Sequence, residues 1–473
     1  MSIVAAYAVP HPPLILPEVG RGQEKGIQAT IDAYRRAAAD FALRRPETVV
    51  LISPHAQMYA DYFHIAPGAA AGGDMRAFGA RQPRTEALYD QEFVAALADV
   101  AKERGLPAGT LGEKRSELDH GTVVPLRFFQ AGYSDFRLAL LGLSGLSALE
   151  HYRLGQCLAE TAERLGRRTA VIASGDLSHK LKADGPYGFA PAGPEFDQKV
   201  MAALGAGDFQ ALLGLDPDLC EAAAECGLRA FQIMAGALDG RAVEAARLSY
   251  EGPFGVGYGV CVFIPGEAAP DRRFGRMYQV EAAERIAGLR RREDLYVALA
   301  RYSLERYVEW REKVRRREDL PAELSRELAA PANQALTQSR AGAFVSLRKE
   351  GRLRGCIGTI EPTKPSLLEE ILTNAVSAGA RDPRFPPVTA AELGELVYHV
   401  DVLGPPEPIA GMAALDVRRY GVIVSAGGRR GLLLPDLAGV DTPARQVEIA
   451  LEKAGIRPGE AYRMERFEVT RHQ

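Results

Sequence analysis

The chain has 473 residues, too many for one ordinary hydrophobic core, so two or more domains are expected. Hydrophobic residues make up 47% and charged residues 25%, the balance of a soluble globular protein, and no apolar run of the roughly 18 residues needed for a membrane span occurs. A formal net charge of −3 excludes a globally basic surface, so nucleic acid is not expected as a partner.

The first apolar run, residues 3–9, reads as a strand and is followed by Pro10-His11-Pro12-Pro13. It begins almost at once, with no charged leader before it, so no secretory signal is expected. Further strands are expected at 48–53, 137–143 and 169–174, and helices at 24–43, 86–104, 149–165, 194–205 and 221–238. This alternation predicts an α/β domain over residues 1–266, a central sheet covered by helices. Its last strand, within 254–264, contains Gly255, Gly257 and Gly259, but no helix follows as a dinucleotide loop would require. A polar, Pro- and Gly-containing break at 265–280 marks the domain boundary.

The second domain, 280–473, is expected to be α+β. Helical patterns cover 281–289 and roughly 293–317, the latter holding the single tryptophan, Trp310, and ending in Arg315-Arg316-Arg317. Hairpins are expected around Lys349-Glu350-Gly351 and Ala426-Gly427-Gly428, and a helix at 443–454 closed by Gly455. The five cysteines, at 157, 220, 226, 261 and 356, form no C-x-x-C pair. That argues against a structural zinc site or a disulfide framework and fits a reducing cytoplasm.

Chemistry concentrates at strand ends. His11 follows the first strand, His55 the second, and Gly175-Asp176-Leu177-Ser178-His179 the run 169–174. In open α/β sheets ligands bind outside the carboxyl ends of strands. Three imidazoles delivered there, out of eight histidines in all, point to a metal or acid–base centre. A non-haem Fe(II) oxygenase needs two imidazoles and one carboxylate on one face of the metal. His11 and His55 supply the imidazoles. Glu225, expected at the start of an apolar helix whose positive end would keep it ionised, is the candidate carboxylate. The neighbouring Cys226 is the alternative ligand, since a thiolate also binds iron or copper. His120 and His179 occupy polar, turn-like contexts suited to proton transfer, with Asp119 and Asp176 placed to orient them. His64, His151, His399 and His472 read as ordinary core or surface residues.

Pro10-His11-Pro12-Pro13-Leu14, Ser53-Pro54-His55, Leu118-Asp119-His120-Gly121 and Gly175-Asp176-Leu177-Ser178-His179 together resemble the class III extradiol ring-cleavage dioxygenases of the catalytic-subunit type. The resemblance implies Fe(II) held by His11, His55 and Glu225, with His120 and His179 in acid–base roles. It also implies a catechol-type aromatic substrate opened by O2, and an oligomer of dimer size or larger. The Gly-Asp-x-x-His loop and Glu225-Cys226-Gly227 also resemble the Memo-like proteins, in which a cysteine near the position of Cys226 takes part in the metal site.

In the second half, Leu353-Arg354-Gly355-Cys356-Ile357-Gly358, Ala378-Gly379-Ala380-Arg381-Asp382-Pro383-Arg384-Phe385 and Gly427-Gly428-Arg429-Arg430-Gly431 resemble the AMMECR1 domain. That resemblance implies an association with a radical S-adenosylmethionine (SAM) protein, whose Cys-x-x-x-Cys-x-x-Cys motif this chain lacks. Cys356 reads as a reactive thiol or a small core residue. Arg381, Asp382 and Arg384 read as an anion-binding loop or an ion-pair staple.

Overall fold

The computed structural model describes residues 2–114, 117–437, 439–457 and 459–473. It divides into two compact units, Met1–Val280 and Glu281–Gln473. The division falls at the end of the 265–280 segment, within the helix Phe274–Arg290.

In the first unit the elements run β1 (Ile3–Val9), α1 (Gln28–Arg44), β2 (Thr48–Ser53), α2 (Gln91–Glu103), α3 (His120–Gly132), β3 (Arg137–Gly142), α4 (Ala148–Arg164), β4 (Thr169–Ser174), α5 (Ala192–Ala206), α6 (Leu228–Ala237), β5 (Arg241–Glu251) and β6 (Tyr258–Ala268). The sheet order is β3-β2-β4-β1-β6-β5. β3, β2, β4 and β1 are mutually parallel, whereas β6 and β5 are antiparallel additions. Parallel strands covered on both faces read as continuous apolar runs, and every residue of β2 and β4 is buried. Alternate residues serve two cores. Ala6, Ala8, Val50 and Ile52 face one that includes Phe93, Leu154 and Phe231. Tyr7, Val9, Val49 and Leu51 face another that includes Phe41, Val124 and Phe129.

Three expected elements of the first unit differ from what is observed. The span 86–104 is not one helix. Ala80–Leu88 pairs with Ala70–Met75 as a hairpin, and α2 starts only at Gln91, capped by Asp90, which accepts from the Phe93 amide at 3.1 Å. The turn-like segment around His120 is the first turn of α3, capped by Asp119. The helix expected over 221–238 is broken: Ala224 adopts φ 52°, and residues 224–227 form a loop between Pro217–Ala223 and α6.

That loop is held against the sheet by backbone contact. A Cβ on Gly175, just past β4, would lie 2.1 Å from the Cα of Gly227. Only glycine at 175 lets the two segments touch there. The loop after β4 is fixed from its other side by Asp197 of α5, which accepts from the Ser178 amide and the Tyr250 hydroxyl, each at 2.8 Å. Burial pushes the Asp197 carboxyl up to about 6, although both hydrogen bonds oppose the shift.

In the second unit, α7 (Leu295–Trp310), β7 (Ala343–Lys349), β8 (Arg352–Gly358), α8 (Leu367–Ala380), β9 (Leu396–Leu403), β10 (Glu407–Ile409), β11 (Tyr420–Ala426), β12 (Arg429–Leu433), α9 (Pro443–Ala454) and β13 (Arg463–His472) follow in order. They build a seven-stranded sheet, β8-β7-β9-β13-β11-β12, with β10 also paired to β13. Both expected hairpins are present, with Glu350 and Gly351 at positive φ in the first and Gly427 in the second. Gly455 closes α9 at φ 65°. The helix expected to reach Arg317 ends at Trp310, where Arg311 turns left-handed, so the exposed Arg315-Arg316-Arg317 run lies outside it. Arg384 forks onto Asp382 at 2.7 and 2.9 Å, and Asp382 accepts from the Cys356 amide at 2.9 Å. These contacts support the ion-pair staple for this loop. Burial pushes the Cys356 thiol up, which does not favour a reactive thiolate.

Two outcomes follow for the first unit. Gly175→Ala is expected to destabilise it by about 1–3 kcal/mol in chemical denaturation, because backbone rather than a flexible side chain occupies the space; an unchanged midpoint would refute the contact. Asp197 has a folded pKa above its ordinary value, so its contribution is fully present below about pH 4 and is lost as pH rises through about 6. The Asp197→Asn variant is therefore expected to gain on the wild type between pH 4 and 7, on the order of 1–3 kcal/mol by urea denaturation. A stability difference that stays flat with pH would contradict this.

Candidate metal centre

The order of the strands assembles the site. β4 lies between β1 and β2, so the residues just past these three parallel strands share one edge. His11 follows β1, His55 follows β2 and the Gly175–His179 loop follows β4. The first turn of α3 closes onto that edge through two serines. Ser53, the last residue of β2, donates to Asp119 Oδ1 at 2.6 Å, and Ser174, the last residue of β4, donates to the Gly121 carbonyl at 2.6 Å. This docking puts His120 beside both strand-end histidines, with ring centroids 4.0 Å from His55 and 5.4 Å from His11.

His11, His55 and Cys226 bring one ligand atom each to within 4.8 Å of one another, the single such group found among the described residues. His11 Nε2 lies 3.0 Å from His55 Nε2 and 3.7 Å from Cys226 Sγ. Two nitrogens bound at about 2.1 Å and at right angles on one ion would be about 3.0 Å apart, so this spacing fits a shared metal. His11 is 2% exposed, whereas His55 is open to solvent, so the centre is reached from the His55 side. A cavity of about 520 Å³ adjoins it there, lined among others by His55, His120, Phe78, Tyr89 and Glu117. That volume suits a small organic ligand.

Electrostatics agree with a cation site. Burial, then the neighbouring His55 and His179, pushes His11 well below its ordinary pKa, which keeps its ring neutral and able to coordinate. Burial pushes the Cys226 thiol well up, and the Asp176 and Glu225 carboxylates add to this, while the Asp176 amide, donating to Sγ at 3.3 Å, opposes it. A buried thiol of this kind becomes a thiolate when a metal cation replaces its proton. Asp176 accepts from the His11 amide at 2.7 Å, and burial lifts its carboxyl to about 6. Burial, then the neighbouring His55 and His11 rings, pushes His120 down to about 4.

The structure brings together His11, His55 and His120 from the sequence expectations. It does not bring Glu225 into the ligand cluster. The Glu225 carboxylate instead accepts from the Leu228 amide, the first of α6, at 2.7 Å. The helix end was expected to keep this group ionised. Its amides do act in that direction, but burial outweighs them and pushes Glu225 up to about 7. Cys226, the alternative, fills the third corner. Its signals in the sequence are its place beside Glu225 and the resemblance of Glu225-Cys226-Gly227 to the Memo-like proteins; the loop that presents it packs on the remote Gly175. His179 stands on the loop after β4 with its ring 5.1 Å from that of Tyr187, and its amide donates to the Ala223 carbonyl at 3.1 Å.

The four remaining histidines sit away from this cluster. Among them, His64 bonds the Glu113 carbonyl at 2.9 Å, His151 bonds the Ser147 carbonyl at 2.8 Å, and His472 stacks on Tyr296 with centroids 3.7 Å apart. No helix of the described residues is long and apolar enough to cross a membrane.

Comparison with known proteins agrees with both units. Residues 5–261 match the model of the catalytic LigB subunit of aromatic ring-opening dioxygenase, and residues 297–473 match AMMECR1. A protein of Clostridium acetobutylicum is 38% identical over 482 residues, covering 100% of both chains, so the two parts occur together there as well. A protein of Thermotoga maritima is 50% identical over 165 residues, 35% of this chain and 88% of its own. A crystal structure of a Pyrococcus horikoshii protein is 31% identical, covering 37% of this chain and 88% of its own, with a TM-score of 0.32. With more than half of its length matched by one family model, the chain belongs to the family of the catalytic LigB subunit of aromatic ring-opening dioxygenase, and it carries an AMMECR1 domain behind that part.

Proposed function

We propose that the first unit is a redox-metal centre in which His11, His55 and Cys226 hold one iron or copper ion, and that it works as a metal-binding protein of the Memo-like kind. The observation that carries this reading is the donor set: two imidazoles and one thiol converge, while the carboxylate of Glu225 is committed to α6. A thiolate is a soft donor that favours Cu(I) or iron over hard cations. When bound, such an ion supplies an electron-transfer centre and a Lewis acid toward an oxygen ligand. The chain's own groups then do the rest. His11 is buried and fixes one side of the site. The exposed His55 marks the entrance, and the adjoining cavity admits a small ligand. His120, neutral at pH 7, is able to accept a proton from a ligand in that cavity. The expected radical SAM partner fits this reading as the enzyme with which the centre would cooperate, docked through the AMMECR1 domain.

A second reading keeps Fe(II)-dependent extradiol cleavage of a catechol by O2. It is favoured by the family match, by His120 beside the His11–His55 pair and by His179 on the loop after β4 at the same edge. In it, His179 is the general acid or base and His120 assists.

One experiment separates the two. Protein purified anaerobically is loaded with Fe(II) or Cu(I), and bound metal is measured in the wild type and in His11→Ala, Cys226→Ala and Glu225→Gln. O2 uptake is then followed with a panel of catechols. The proposed reading expects metal lost by more than tenfold in affinity in the first two variants and retained in Glu225→Gln, with no ring-opened product. Metal kept without Cys226 but lost without the Glu225 carboxylate, together with a yellow product whose formation His179→Ala abolishes, would establish the dioxygenase instead.

A further inference from the structure

Ser174 carries a hydroxyl with a single hydrogen, and the structure shows where that hydrogen goes. Its Oγ lies 2.6 Å from the Gly121 carbonyl oxygen, which is able only to accept, so Ser174 donates there. The same Oγ lies 2.9 Å from His11 Nδ1. With its hydrogen spent, the hydroxyl accepts at that contact, and the proton between them belongs to His11 Nδ1. His11 Nε2 is then an unprotonated lone pair aimed at His55 and Cys226.

The Gly121 carbonyl is free to receive Ser174 because of a proline. In a helix the carbonyl of residue 121 accepts from the amide of residue 125. Residue 125 is Pro125, inside α3, which has no amide hydrogen. A proline within a helix ordinarily costs about 3 kcal/mol and leaves a carbonyl unmet. Here the unmet carbonyl points into the strand-end edge and is satisfied from β4.

We infer that Pro125, Gly121 and Ser174 form a relay whose task is to hold His11 in the Nδ1-protonated tautomer, leaving Nε2 as the ligand atom. Ser174 and Pro125 are positioning residues that act through His11. The inference rests on the metal reading above for its purpose, but not for its geometry. On metal entry the His11 tautomer stays as it is.

The test uses the full chain labelled with 15N-histidine, metal-free and then titrated with Co(II) or Zn(II). Two-bond nitrogen–proton spectra report which ring nitrogen is protonated. Wild-type His11 is expected in a single Nδ1–H form that is kept on metal addition. Ser174→Ala is expected to give His11 as a mixture of tautomers and to weaken metal binding by about 10–100-fold, the usual scale for loss of a partner behind a ligand. Ser174→Thr, which keeps the hydroxyl, restores both. Pro125→Ala, which returns a competing amide hydrogen to Gly121, gives an intermediate loss without removing any group that faces the metal. His11 protonated at Nε2 in the wild type, or a Ser174→Ala protein with an unchanged tautomer and affinity, would overturn the relay. A wild type with the expected tautomer that binds no metal would leave the relay standing and defeat the metal reading.

Discussion

Everything at the centre depends on two backbones touching. Gly175 leaves β4 and meets Gly227 where a side chain would otherwise stand. This contact brings a loop from beyond residue 220 onto an edge built by residues 9, 53 and 174. The helix that the apolar pattern would continue through 224–227 stops where Ala224 turns left-handed, just before that contact. Without it Cys226 would ride on a helix face and could not converge on His11. The third ligand is thus set by absent side chains more than by any attraction.

Around that contact, polar groups are used more than once. Asp119 caps α3 through the Thr122 amide, receives the Thr122 hydroxyl and receives Ser53. Asp176 accepts from the His11 amide through its carboxylate and donates its own amide to Cys226. Each such bond in a buried site contributes about 1 kcal/mol net, but leaving one partner unmet costs more. The network is therefore stiff: moving one histidine strands several buried groups. The Asp119 cap, the Asp176 carboxylate and two serines hold the imidazoles in place before any ligand arrives, which is what a metal centre requires.

Much of this was legible in the sequence. β1, β2 and β4 appear where the apolar runs place them, because strands buried on both faces read as uninterrupted Val, Ile, Leu and Ala. His11 and His55 were found by their position past those strands. What the sequence hid has a common cause: local pattern yielding to a distant contact. The polar context of His120 disguises the start of α3 as a turn, although the Gly121 carbonyl that Pro125 leaves unmet is satisfied from β4. The apolar face of 221–238 disguises the break at Ala224. Glu225 looks like a ligand because a carboxylate beside a helix start is a plausible one, but the nearest amides claim it first. Hydrophobic period records what an element buries, not which remote chain will press on it.

The hydrogen-bonded contacts at the centre join residues 44, 163, 165 and 215 positions apart. No short stretch of this chain carries even two of the three ligand atoms. Closing loops of that length is entropically slow, and contacts so distant in sequence form late in folding. An unfolded or truncated chain therefore has no weak version of the site that could grip an ion early. On the proposed metal reading, occupancy would report on completion: only a first unit whose sheet is fully threaded would hold metal, and metal at a hundred times its dissociation constant would add about 2.7 kcal/mol to that state alone. The same topology that assembles the centre would thus make its cargo a proofreader of the fold.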